Sequence, residues 1–177
     1  TMQNDLDGLE IGGRNILKHA DFMNTDYKND WSAIDSNSAV GFAHRTFKTS
    51  GEAQNFLQVN SINGLAANTK FGLISNQSFA LVAGMEYTLS FLVACHNNAS
   101  QNMGNTQIKY SDGTTQLLPT IAINTFPQYG VIDDSFGLPV YEFQITFTAT
   151  KSSSAQLILG GSVGRNLTST NYALTYV

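Results

Sequence analysis

The sequence has a single cysteine, Cys95. An internal disulfide is therefore impossible, and no CxxC pair is present to hold a metal knuckle. Cys95 sits in the apolar run LVAC, where it reads as a small buried hydrophobe. Charge is scarce as well: charged side chains make up 12% of the 177 residues and the net charge is −4. The nine lysines and arginines are scattered, so no basic cluster is offered to a nucleic-acid backbone or to an anionic membrane surface. No apolar run approaches the roughly 20 residues of a membrane span, and none implies membrane insertion. Helix-period segments of useful length are missing too, which excludes a helical bundle.

Chemistry-bearing clusters are equally sparse. His19, His44 and His96 stand apart, without the i, i+2 or i, i+4 spacing of a zinc site. Asp5-x-Asp7-Gly8 has the first residues of a calcium loop, but the remaining ligands and the closing glutamate do not follow. Asp133-Asp134 is the other close carboxylate pair. Adjacent acids usually point apart, whereas glycoside hydrolysis needs two carboxyls flanking a sugar, so this pair reads as turn chemistry. Gly160-Gly161-Ser162-Val163-Gly164 matches the letters of a nucleophile elbow. The elbow needs strand, turn and helix, and the residues that follow, RNLTSTNYALTYV, read as loop then strand. No enzymatic activity is expected.

What the chain does have is neutral polarity outside and aromatic or β-branched bulk inside. Asn, Ser, Thr, Gln and Gly are abundant, and aromatics make up 11%, with eleven phenylalanines among them. Period-two alternation is clearest over Met85 to His96, where Tyr87, Leu89, Phe91 and Val93 share one face. Thr88, Ser90 and His96 take the other face, with Leu92 and Ala94 between them. A second alternating run covers Tyr141 to Ala149: Tyr141, Phe143, Ile145 and Phe147 point one way, Glu142, Gln144, Thr146 and Thr148 the other. TQIKY and TTQLL read as a hairpin around Ser111-Asp112-Gly113, where Asp-Gly supplies the positive-φ turn. Further strands are expected at 14–18, within 31–47, at 55–60, within 69–82, at 155–163 and at 172–177. Residues 121–140 read as a long, aromatic-rich connection without its own structure, a kind of segment that is often functional. The expectation is an all-β, antiparallel β-sandwich of about nine or ten strands. Residues 1–11 read as a linker or the end of a preceding domain, and 12–177 as the sandwich.

Four segments also carry a family resemblance. IGGRNILKHADF with the later Trp31 resembles the GRNLL-x-NSDF…W opening of carbohydrate-binding-module-like jelly-roll domains in phage tail and baseplate proteins. LVAGMEYTLSFLVA is similar to their L-x-AGKTYTLSF-x-A strand, and IKYSDGTTQ to their V-x-YSDGT hairpin. VYEFQITFTATKSSSAQLIL resembles their FTFTATK strand pair, with Tyr141 near the position of a family aromatic. The segments occur in the family's order and span most of residues 11–163. The resemblance implies a jelly roll of ten or so strands on a virion, acting outside the host cell. Its partners would be host cell-surface polysaccharide and other phage tail proteins. Related modules place a structural calcium near an acid in the last strand; here Asn171 to Val177 carries no acid, so no cofactor is expected.

Sugar binding needs aromatic faces for stacking and neutral amides for hydroxyls. Tyr129, Phe126, Tyr110 and Tyr27 lie near expected loops, and Asn97, Asn98, Gln101, Asn102 and Gln128 can supply amides. His96 ends a strand beside the Asn-rich loop. Phe126 also fits as packing for the long connection. Trp31 fits either as a stacking platform or as a cover over the end of the core. The polar faces Thr88/Ser90 and Glu142/Gln144/Thr146 suit a concave binding sheet or a plain solvated face. The leading expectation is a non-catalytic host-adhesion module that recognises cell-surface saccharide. The alternatives are a structural spacer or decoration domain of a tail, and an accessory module of a glycan-degrading enzyme.

Overall fold

The computed structural model describes residues 27–35, 40–49, 52–61, 70–95, 106–132, 137–162 and 172–176. These residues form two antiparallel sheets with almost no helix, as the alternation and turn signals predict. The chain order is a one-turn helix α1 (Tyr27–Asp30), then β1 (Trp31–Asp35), β2 (Val40–Thr49), β3 (Glu52–Ser61), β4 (Lys70–Ser75) and β5 (Phe79–Leu81). There follow β6 (Glu86–Cys95), β7 (Gln107–Tyr110), β8 (Thr115–Leu117), β9 (Gln128–Val131), β10 (Pro139–Thr148), β11 (Ser153–Ser162) and β12 (Tyr172–Tyr176). One sheet runs β1-β4-β11-β7-β8, with β5 also paired to β11; the other runs β2-β3-β12-β6-β10-β9.

The core lies between the sheets. Trp31, Leu73, Ile108, Leu157 and Leu159 come from one, Leu89, Val93, Phe143 and Ile145 from the other, and all are buried in one cluster. Burying a side chain such as Phe143 or Leu73 contributes roughly 1.5–3 kcal/mol. The odd-numbered residues of β6 and β10 make the inner face, as their period requires. Their backbones pair from Thr148 opposite Glu86 to Val140 opposite Ala94.

Three local features explain the other sheet. Residues 69–82, read as one strand or a bent pair, form β4 and β5, which both pair with β11. At the break between them the Ser75 hydroxyl accepts the Leu157 amide at 2.9 Å and donates to the Gln77 carbonyl at 3.1 Å, so no ladder group is stranded. Gly72 lies between Ile34 of β1 and Gly160 of β11; a Cβ there would stand 2.1 Å from the Leu159 carbonyl oxygen, so only glycine fits. Beyond the end of β7, the buried Thr106 hydroxyl takes over as a partner for β11, donating to the Gly160 carbonyl (3.2 Å) and accepting its amide (3.3 Å).

Trp31 is a core residue. Its segment is pinned to the β4–β5 turn by Asn76, whose amide donates to the Asp30 carbonyl at 2.7 Å and whose side chain bonds the Asn29 carbonyl and Ser32. Gln77 donates to the Asp30 carboxylate. These contacts hold the indole against the core, so the cover role describes it and the stacking-platform role does not. The expected strand at 14–18 lies outside the described residues. The 121–140 segment departs from expectation: it contains a 3-10 turn, Ile123–Thr125, and the strand β9. Ser162 ends β11 within the ladder, opposite Lys70.

Candidate functional site

The site forms where that segment meets the outer face of β6 and β10. On this face Ser90 stands opposite Gln144, and Leu92 opposite Glu142. Ser90, Glu142 and Gln144 are exposed, and none makes a side-chain hydrogen bond or ion pair with another described residue.

The connection is fastened to this sheet in steps. Its 3-10 turn buries Ile123, and the Thr125 hydroxyl closes the turn on the Ala122 carbonyl at 2.6 Å. Phe126 then packs inward against Phe143, ring centres 4.9 Å apart, and Phe143 stacks on Phe91 at 4.7 Å. The Pro127 carbonyl accepts the Glu142 amide at 2.9 Å. Gln128 pairs with Tyr141 and Gly130 with Val140, so the register shifts and Tyr129 is the extra residue of a β-bulge. Bulges re-aim side chains and recur beside functional sites. Tyr129 is 39% exposed there.

Beyond the bulge the chain is anchored a second time. Ile132 and Leu138 join Val140 and Ala94 in a small buried cluster, with Leu92 packed against it. The Ile132 amide donates to the Leu138 carbonyl at 2.9 Å. Val140, Ala94 and Leu92 share the outer face with Ser90 and Glu142, so one end of that face is apolar and covered while the next stretch is polar and open. Tyr129 therefore stands on a strand held from both sides.

Between these parts runs an open groove of about 460 Å³. Tyr129, Pro127 and Leu92 supply ring and apolar surface; Ser90, Glu142 and Gln144 supply polar groups; Phe126, Phe91 and Phe143, whose rings pack inward, also border it. Among the described residues, Glu142 is the one charged residue of the lining. This combination suits a ligand with an apolar face and a hydroxylated edge, the two-sided character of a sugar ring. Two-carboxylate glycoside hydrolysis needs a second acid, and the lining has none among the described residues. Among the described residues no three His, Cys, Asp or Glu side chains come together as a metal site.

Of the residues picked out in the sequence, Tyr129 and Phe126 meet in this groove. Gln128 is next to them, but its side-chain amide donates to the Gly130 carbonyl at 3.2 Å and it does not line the groove. Tyr110 must be removed from the stacking candidates. It is 2% exposed and its ring packs in the core. Its hydroxyl donates to Gln116 Oε1 at 2.5 Å and accepts the Thr150 amide at 3.1 Å. Tyr27 lies in α1, but its side chain is outside the described residues, as are His96, Asn97, Asn98, Gln101 and Asn102. Period two alone puts Ser90 on the polar face of one strand and Glu142 and Gln144 on that of another, and the pairing of β6 with β10 joins them. What no local pattern revealed is that β9 would bring Tyr129 beside them.

No protein-family model matches the chain, and none of the curated proteins compared with it matches.

Proposed function

We propose that the chain is a non-catalytic carbohydrate-binding or host-adhesion module of jelly-roll type, carried on the tail, baseplate or tail fibre of a phage or prophage. The observation that carries the binding part is the groove, lined by an exposed tyrosine on a bulged, doubly anchored strand together with a carboxylate, an amide and a hydroxyl. The viral setting and the jelly-roll topology rest on the four sequence segments. A shallow, open groove suits weak binding at each copy, with strength coming from many copies acting together.

A second reading, a spacer or decoration domain without a sugar site, draws on a different observation. Val82 and Met85, at the β5–β6 turn, are 53% and 57% exposed, which suits contact with a neighbouring subunit. The two readings separate in one experiment: the chain, fused to a fluorescent protein and multimerised, is tested on glycan arrays and whole bacterial cells beside Tyr129→Ala. Saccharide binding that disappears in the variant, with folding intact, is the expected result. Binding that survives puts the site elsewhere. No binding by either protein favours the spacer, which would then be sought through Val82 and Met85.

A further inference from the structure

Resting on the saccharide reading above, we infer that the groove takes a saccharide free of anionic groups, one that presents hydroxyl or ammonium donors to Glu142. Three features lead there. First, an ionised carboxylate only accepts hydrogen bonds. Ser90 and Gln144 can donate or accept, so they adapt to either kind of ligand group, while Glu142 requires donors. Second, among the described residues the lining contains no lysine, arginine or histidine to offset a ligand carboxylate, sulfate or phosphate. An anion about 4 Å from Glu142 loses roughly fivefold in affinity even with water-like screening, and more where the apolar walls exclude water.

Third, the same sign continues along the sheet. From Glu142 the outer face of β6 and β10 passes through the neutral Ser90, Gln144, Thr88 and Thr146 and reaches Glu86, opposite Thr148. The nearest lysine in sequence beyond this face, Lys151, is engaged by Asp112 at 2.6 Å. Among the described residues of these two strands, a polymer lying along them would therefore meet acids and neutral groups only. Vicinal hydroxyls and a protonated amine share the chemistry that satisfies Glu142.

The test uses the 177-residue chain on matched arrays of neutral glycans, glucosamine-bearing glycans and uronate- or sulfate-bearing glycans, with Glu142→Gln and Tyr129→Ala in parallel. Glu142 is exposed, so Glu142→Gln should melt with the wild type, and thermal denaturation checks this. The expected result is binding to neutral or amine-bearing glycans, with anionic ones bound at least about tenfold more weakly. Glu142→Gln should lose about tenfold on the preferred class and narrow its preference over the anionic class. Whether neutral or amine-bearing glycans lead tells which donor meets the carboxylate. Wild-type preference for anionic glycans overturns the inference while the saccharide reading stands, as does a Glu142→Gln variant with an unchanged class ratio. Binding to no class overturns both.

Discussion

Tyr110 and Tyr129 are the same residue type in two regions of one molecule, and their surroundings put them to opposite uses. Tyr110 sits where the β7–β8 hairpin meets the β10–β11 turn. Its ring is in the core and its hydroxyl is shared among Gln116 and Thr150. Gln116 in turn donates to the Thr148 carbonyl at 2.8 Å, and its oxygen accepts from the Thr150 amide and hydroxyl. Outside this knot Lys151 bridges Asp112 (2.6 Å) and Thr114 (2.7 Å). The polar side chains of Tyr110, Asp112, Thr114, Gln116, Thr150 and Lys151 are thus partnered within the corner. At the groove, tyrosine, carboxylate, amide and hydroxyl are again close together, but Ser90, Glu142 and Gln144 face outward with no described partner. A tyrosine beside amides is therefore no sign of a binding site until one knows whether those groups already satisfy each other.

The largest difference should appear in folding. Tyr110→Ala opens a cavity and takes away the hydroxyl that bonds Gln116 and the Thr150 amide, at a cost of about 3–5 kcal/mol. Tyr129→Ala should cost less than about 1 kcal/mol, because its side chain is well exposed. Urea denaturation of both variants measures the contrast, and equal losses would break it. Phe126→Ala lies between the two, since its ring is half-buried against Phe143. It should cost about 1–3 kcal/mol and weaken any groove ligand as well, because Phe126 borders the groove. Tyr110→Phe keeps the ring and deletes only the hydroxyl, and should cost about 1–2 kcal/mol with groove binding unchanged.

The smallest effect concerns pH. Hydrogen bonds from the Lys151 ammonium, the Thr114 hydroxyl and the Thr114 amide hold the Asp112 carboxyl well below its ordinary value of 3.8. The folded form thus prefers the charged carboxylate. The stabilisation is fully present above the ordinary value and is lost as pH falls from there through the lowered folded value. The group is exposed, so the contribution is small and screened by salt. Carboxyl NMR should find Asp112 titrating below the ordinary 3.8, and Lys151→Ala should raise its midpoint. No change in that variant would show that the lysine does not hold it.

Much of the fold was legible because it depends on local order. Alternation in β6 and β10 located the inner face, and Asp112-Gly113 announced a turn in which Gly113 takes φ 82°. The hairpin and strand-pair segments that carry the family resemblance include Tyr110, Asp112, Thr114, Thr150 and Lys151, and the structure binds these side chains together as the corner. Those motifs therefore report packing. The groove was less legible because it is made by long-range pairing. β9 is four residues long with no alternation of its own, and its bulge exists only against β10. Leu92 and Ala94 interrupt a polar face, and Ile132 and Leu138, distant in sequence, pack with them. Tyr110 was misjudged because proximity to a turn was taken for exposure, whereas strand period points the ring inward.

The most direct test is a titration of the isotopically labelled chain with whichever glycan the array identifies, followed residue by residue by NMR. The account predicts that the shifts gather at Ser90, Leu92, Tyr129, Glu142 and Gln144, while Tyr110, Gln116 and Thr150 stay still. Shifts centred on the Tyr110 corner, or spread with no focus at the groove, would contradict it.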